Sequence, residues 1–117
     1  MKFLLLLIFL PSSLSASAQS NADPHASSGS GALSPRYDPA IQHVEPFRIF
    51  DTLSYVGVEW VSAYVLETSE GLIILDSLYG QFVDHLFDGV HKLGLDPANI
   101  KYVLCTHGHW DHVAGAH

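Results

Sequence analysis

From Phe47 onward the hydrophobic and polar positions fall into blocks of different period. Phe47-Arg48-Ile49-Phe50-Asp51-Thr52-Leu53 alternates loosely, as a strand with one wet face does. Tyr55-Val56-Gly57-Val58 reads as a second short strand, and Val61 to Thr68, rich in β-branched and aromatic residues, as a better one. Ser69-Glu70-Gly71 has hairpin chemistry, with Gly71 able to take positive φ. Leu72-Ile73-Ile74-Leu75 is apolar without alternation, the pattern of a strand covered on both faces; the short loop makes it antiparallel to the strand before it. The period then changes. Val83, Leu86, Phe87, Val90 and Leu93 line one helical face, and Gly94 stands where a glycine would end the helix. His85 lies off that stripe and reads as a solvated helix residue, and His91 lacks a partner motif. Asp96-Pro97 supplies an N-cap followed by proline for one short turn. Ile100 to Thr106 forms the next strand.

Strands, helix and strand in this order predict an α/β layered domain. About five strands with one helix leave a sheet face uncovered, so the chain reads as the N-terminal part of a longer domain.

The residues before Phe47 follow other rules. Lys2, the apolar run Phe3 to Leu10 and Ala16-Ser17-Ala18 make residues 1–18 a secretory signal with Gln19 as the first mature residue. Eight apolar residues fall far short of the roughly 20 needed to span a bilayer, so the expectation is export, to a periplasm or the outside, with no membrane attachment after cleavage. Residues 19–46 form a flexible, then turn-rich lead-in, Ser/Ala/Gly-rich to about Arg36 and limited further on by Pro39 and Pro46; His25 within it is incidental. The domain proper spans 47–117.

Composition narrows the function. With 48% hydrophobic residues the 117-residue chain can form a core. A net charge of −7 without a basic cluster argues against nucleic acid as a partner. The one cysteine, Cys105, excludes an internal disulfide and reads as a core thiol on its strand.

Four of the eight histidines fall between His107 and His117. Thr106-His107-Gly108-His109-Trp110-Asp111-His112 sets three imidazoles and a carboxylate within six residues, starting just past the carboxyl end of a strand, where α/β sheets place their ligand sites. Neutral imidazole and carboxylate are the donors zinc and iron take. Residues i and i+2 of an extended segment point the same way, so His107 and His109 can converge on one ion. Asp111 and His112 diverge if extended, and a turn into a helix lets both face a second ion. Gly108 is expected to permit that tight path, and Gly115 to let the following helix approach the sheet closely. His117 reads as a helix residue.

The motif His-x-His-x-Asp-His after an apolar strand, with Leu72-Ile73-Ile74-Leu75-Asp76 upstream, resembles the metallo-β-lactamase superfamily over roughly Phe47 to His117. The resemblance implies a four-layer αββα sandwich, of which this chain holds the N-terminal part. It implies two zinc ions in the full-length protein, His107 and His109 on one and Asp111 and His112 on the other, with further ligands from later histidines. It implies hydrolysis of a small-molecule substrate by a metal-activated hydroxide, Asp111 being the catalytic residue that orients it and carries a proton. Asp76 is similar to a supporting carboxylate of that family, a structural cap being the alternative; Trp110 either walls the pocket or is simply packed. His112, Val61-Ser62-Ala63-Tyr64, Gly71-Leu72-Ile73 and the leader look similar to the third (B3) β-lactamase subclass, which implies opening of a cyclic amide. Hydrolysis of another ester, lactone or thioester, or an inactive metal-binding piece, are the other readings; oligomeric state is left open.

Overall fold

A computed structural model describes residues 34–117. The expected leader and residues 19–33 of the lead-in lie outside the described residues.

Five strands form one sheet in sequential order: β1 (Phe47–Arg48), β2 (Leu53–Tyr55), β3 (Tyr64–Thr68), β4 (Gly71–Leu75) and β5 (Ile100–Leu104). β1 to β4 are antiparallel neighbours, and β5 joins β4 in parallel after a crossover through α2 (Phe82–Lys92). Two single-turn helices complete the set, α1 (Pro39–Gln42) and α3 (Trp110–Val113). Among the described residues no helix is long and apolar enough to cross a membrane.

Local chemistry accounts for the boundaries. The β3–β4 hairpin pairs Thr68 with Gly71, whose φ of 131° a side chain would strain, and the Thr68 hydroxyl donates to the Gly71 carbonyl. The end of α2 is closed by two bonds, Gly94 N–H to His91 O and Leu95 N–H to Val90 O, with Gly94 left-handed at φ 80°. Asp96 caps the 3₁₀ turn Pro97–Asn99 by accepting from Ala98 N–H, and Asp38 caps α1 in the same way from Ala40 N–H. The core lies between the sheet and α2, where Val56, Val65 and Ile74 meet Phe82, Leu86 and Val90.

Several expectations need correcting. The predicted strand 47–53 is two: Ile49 and Phe50 donate to Leu53 O, folding β1 back on β2. Val56 to Val58 is buried and bonded to Val61 and Ala63 but is not a strand, and β3 begins at Tyr64 rather than Val61. β4 alternates in burial, Leu72 and Ile74 inside and Ile73 and Leu75 half-exposed, because among the described residues one sheet face is bare. The same bareness exposes β5 and leaves Cys105 outside the core among the described residues. The apolar stripe of α2 is rotated toward Phe82 and Gly89 and away from Phe87. His85 is half-buried, bonded to Gly57 O at 3.0 Å and edge-on to His43, rather than solvated. The final helix stops at Val113, leaving His117 outside it. Pro35 and Arg36, assigned to the linker, lie in an ordered 3₁₀ turn, Pro35–Tyr37.

Candidate metal centre

Parallel pairing sets the carboxyl ends of β4 and β5 side by side, Leu75 opposite Leu104. Asp76 therefore stands beside the chain leaving β5, its N–H donating to Leu104 O at 2.9 Å. Asp76 is left-handed, φ 60°, and so is the fully buried Leu78, φ 59°. For non-glycine residues this costs about 1 kcal/mol each and persists only where packing enforces it. Beyond β5, Thr106 to His109 runs as a loop, and His109 is the N-cap residue of α3. Ser77 ties the start of that helix to β4: its N–H and hydroxyl both reach His112 O, at 2.8 and 3.1 Å.

Asp76 is 5% exposed, and its carboxylate accepts three hydrogen bonds. They come from Thr106 N–H at 2.7 Å, the Thr106 hydroxyl at 2.8 Å and His112 Nδ1 at 2.9 Å. Burial by itself would raise its pKa; the bonds from Thr106 and His112 outweigh it and hold the group below its usual value of 3.8. An ionised carboxylate only accepts, and this fixes protons further along. The Thr106 hydroxyl spends its hydrogen on Asp76, so toward His107 Nδ1, 2.9 Å away, it can only accept. In their neutral forms His107 and His112 thus both carry the proton on Nδ1, and both Nε2 atoms present a lone pair. One buried carboxylate sets two tautomers.

The three imidazoles cluster, with ring centroids 4.1 Å apart for His107 and His112 and 4.6 Å for His107 and His109. His107 Nε2 and His109 Nδ1 face each other at 3.0 Å, with His109 as donor. Two nitrogens on one tetrahedral zinc ion, each about 2.05 Å from it, would stand about 3.3 Å apart, so this pair fits a shared cation once His109 takes its other tautomer. His112 Nε2 and Asp111 Oδ2 face each other at 3.9 Å and form a second pair. The donor chemistry suits zinc, and each pair supplies two of the roughly four donors such an ion takes. Among the described residues no three histidine, cysteine or acidic side chains are already set around one point. The four predicted ligands lie on two adjoining pieces of chain, His107 and His109 exposed in the loop after β5 and Asp111 and His112 half-buried in α3. His117 is not among them.

The two motif glycines differ. Gly115 is required: a Cβ there would meet Ser77 O at 2.4 Å and a Val83 methyl at 2.9 Å. Gly108 is not, contrary to expectation, since a Cβ would meet nothing within 4 Å and its φ is not positive. Thr106 is the link from Asp76 to His107. Trp110 is packed, stacked on Tyr37 and edge-on to the buried Tyr79. Tyr37, Tyr79 and Ser77 carry no motif signature, and only their place in the fold identifies them. The apolar hollow between α2 and β4–β5, lined by Val83, Leu86, Phe87 and Val103 among others, contains none of the four predicted ligands.

Comparison with solved structures gives the same architecture. The FEZ-1 metallo-β-lactamase of Legionella gormanii is 33% identical with a TM-score of 0.62 over 64% of this chain and 29% of that one. BJP-1, a subclass B3 metallo-β-lactamase of Bradyrhizobium japonicum, is 42% identical with a TM-score of 0.57 over 59% of this chain and 26% of its own. LRA-12, a class B3 di-zinc metallo-β-lactamase from an Alaskan soil metagenome, is 29% identical with a TM-score of 0.60 over 64% and 28%. The chain thus spans a little over a quarter of the length of these structures. The metallo-beta-lactamase superfamily model matches residues 56–117, more than half of the chain and all of the histidine loop. With the sheet order, the Asp76 anchor and the loop beyond β5, that match places the chain in the metallo-β-lactamase superfamily.

Proposed function

We propose that the protein works as an exported zinc-dependent hydrolase of β-lactamase type that opens a cyclic amide in a small-molecule substrate. The observation that carries this reading is the bond set of Asp76, which leaves His107 and His112 with Nε2 lone pairs within a six-residue stretch holding four donors. A packed histidine needs one satisfied nitrogen; it does not need its neighbour's tautomer fixed to match.

His107 with His109 would hold one ion, and Asp111 with His112 the other. When bound, the ions supply a Lewis acid for the substrate carbonyl and a water acidic enough to act near neutral pH. The chain's own groups do the rest. Asp76 and Thr106 hold the imidazoles in the tautomer that can donate electrons. Asp111, half-buried and acceptor-only when ionised, is placed to orient the attacking water and to take up a proton. The likeness to B3 enzymes supports a β-lactam substrate, and residues 1–18 support export.

The test is zinc-loaded protein from the complete gene, assayed against penicillins, cephalosporins and a carbapenem. Turnover that is abolished by chelation and restored by zinc is the expected result. Zinc-dependent turnover confined to lactones or thioesters would overturn the substrate assignment, and absence of tight zinc binding would overturn the metal reading.

A further inference from the structure

Asp76 accounts for only half of the ligand set. His107 and His112 are tied to it, one through Thr106 and one directly. The side chains of His109 and Asp111 have no such tie: among the described residues their polar contacts are to His107 and His112, inside the motif. Something else must set their position.

The residue between them is Trp110, and Trp110 is gripped. Its indole stacks on Tyr37 at 6.3 Å and 14° and meets Tyr79 edge-on at 4.8 Å, while Tyr37 and Tyr79 are edge-on to each other at 5.9 Å. Ring pairs at such distances attract one another beyond what their burial contributes. Tyr79 is fully buried and belongs to the segment after β4; Tyr37 comes from far upstream. The upstream segment is itself fastened. The Tyr79 hydroxyl donates to Arg36 O at 2.7 Å and Gln81 Nε2 to Tyr37 O at 2.6 Å. Buried Gln42 donates to Pro35 O and accepts from Trp60 N–H, and the Arg36 guanidinium lies 4.0 Å from the Trp60 ring centre.

We infer that Trp110 is a positioning residue for His109 and Asp111, and that residues 35–42 form a strap that makes it one. Trp110 is also the first residue of α3, where the chain turns from extended to helical. Fixing its ring fixes the turn, and hence the angle between the first ligand pair and the second. Asp76 orients His107 and His112 through protons; the strap orients His109 and Asp111 through packing. All four of these ligands are oriented only when both anchors hold. This inference rests on the zinc reading given above.

The experiment measures zinc affinity by chelator competition on the full chain, together with melting temperature and the imidazole ¹⁵N resonances. Tyr37→Ala and Trp110→Ala are expected to weaken zinc about tenfold or more, in the range found for residues that support ligands, and to shift the His109 resonances while His112 keeps its Nδ1 proton. Trp110→Phe should recover most of the affinity. Trp60→Ala, which touches the same strap and Tyr79 but not the loop, should lower the melting temperature and leave zinc affinity within twofold. Wild-type affinity in both Tyr37→Ala and Trp110→Ala would overturn the inference, as would an equal loss in Trp60→Ala. His107→Ala and His112→Ala separate the two levels: if neither weakens zinc, the metal reading fails and this inference with it. If both do while Tyr37→Ala and Trp110→Ala do not, only the strap is wrong.

Discussion

Replacing Asp76 with Asn should disable two histidines it leaves in place. The new side chain has the same shape, but one of its two terminal atoms becomes a donor. The backbone N–H of Thr106 cannot reverse its direction, so the amide oxygen must stay where Oδ1 accepts it at 2.7 Å. The NH₂ group then occupies the Oδ2 position, facing the Thr106 hydroxyl at 2.8 Å and His112 Nδ1 at 2.9 Å. Both must now accept. His112 moves its proton to Nε2; the Thr106 hydroxyl, released, donates to His107 Nδ1, and His107 moves its proton to Nε2 as well. To bind an ion, each ring must return to the first tautomer and give up a hydrogen bond of about 1 kcal/mol. Two such losses come to roughly 2 kcal/mol, or about 30-fold in zinc affinity, within the 10–100-fold range for groups that support metal ligands. Long-range ¹H–¹⁵N spectra read the tautomers and chelator competition reads the affinity. An Asn variant whose histidines keep Nδ1–H and which binds zinc within twofold of wild type would refute the reasoning.

Gly115→Ala should destabilise by about 1–3 kcal/mol, as overpacking does, since the added methyl meets the Ser77 carbonyl and Val83; Gly108→Ala, in open space, should stay within about 0.5 kcal/mol, and urea denaturation of the pair measures the difference. Leu86→Ala empties a buried position of α2 against the sheet and should cost about 2–5 kcal/mol with little change in urea m-value. For pH, the folded pKa of Asp76 lies below its ordinary 3.8, so the unfolded chain takes the proton first as pH falls. Its contribution is therefore present above that value and lost as pH drops through the folded pKa; zinc-free protein should lose stability there, and Asp76→Asn should lose less over the same interval.

Local rules made much of this readable. The Gly71 hairpin, the Gly94 helix end and the Asp96-Pro97 turn are each set by one or two residues, and they stand where the pattern put them. A tight approach at Gly115 was legible, but its partners were not: it lies beyond α3 and packs on Ser77 and on Val83 of α2, not on the sheet. The misreadings involve burial, which no local pattern contains. Leu72 to Leu75 and Cys105 are as apolar as a core strand, but cover depends on what packs above them, and among the described residues one sheet face is bare. His85 was read by its place on a helical wheel, whereas its environment is made by Gly57 and His43 from elsewhere in the chain. The histidine motif named four donors, of which two stand in the loop after β5 and two in α3. Of what orients them, Asp76 was legible as a supporting carboxylate, whereas Thr106, Tyr37 and Tyr79 were not, because they act through contacts 30 or more residues away in sequence.

Those contacts depend in turn on the register of one strand pair. β5 pairs with β4 as Leu72 to Ile100 and then Ile73 to Tyr102, so Lys101 is an extra residue on β5. Without it Leu75 would face Val103, the motif would sit one residue further from Asp76, and every side chain beyond the shift would point to the other face. With it Leu75 faces Leu104, and Thr106 comes within reach of the carboxylate. Gly71 makes room for the bulged strand: a Cβ there would lie 2.7 Å from Asn99 O and 2.8 Å from Lys101 Cγ. The same glycine that turns the hairpin therefore also admits the residue that aligns the histidines. A sequence carrying the motif without that one-residue offset would have the donors but not the tautomers.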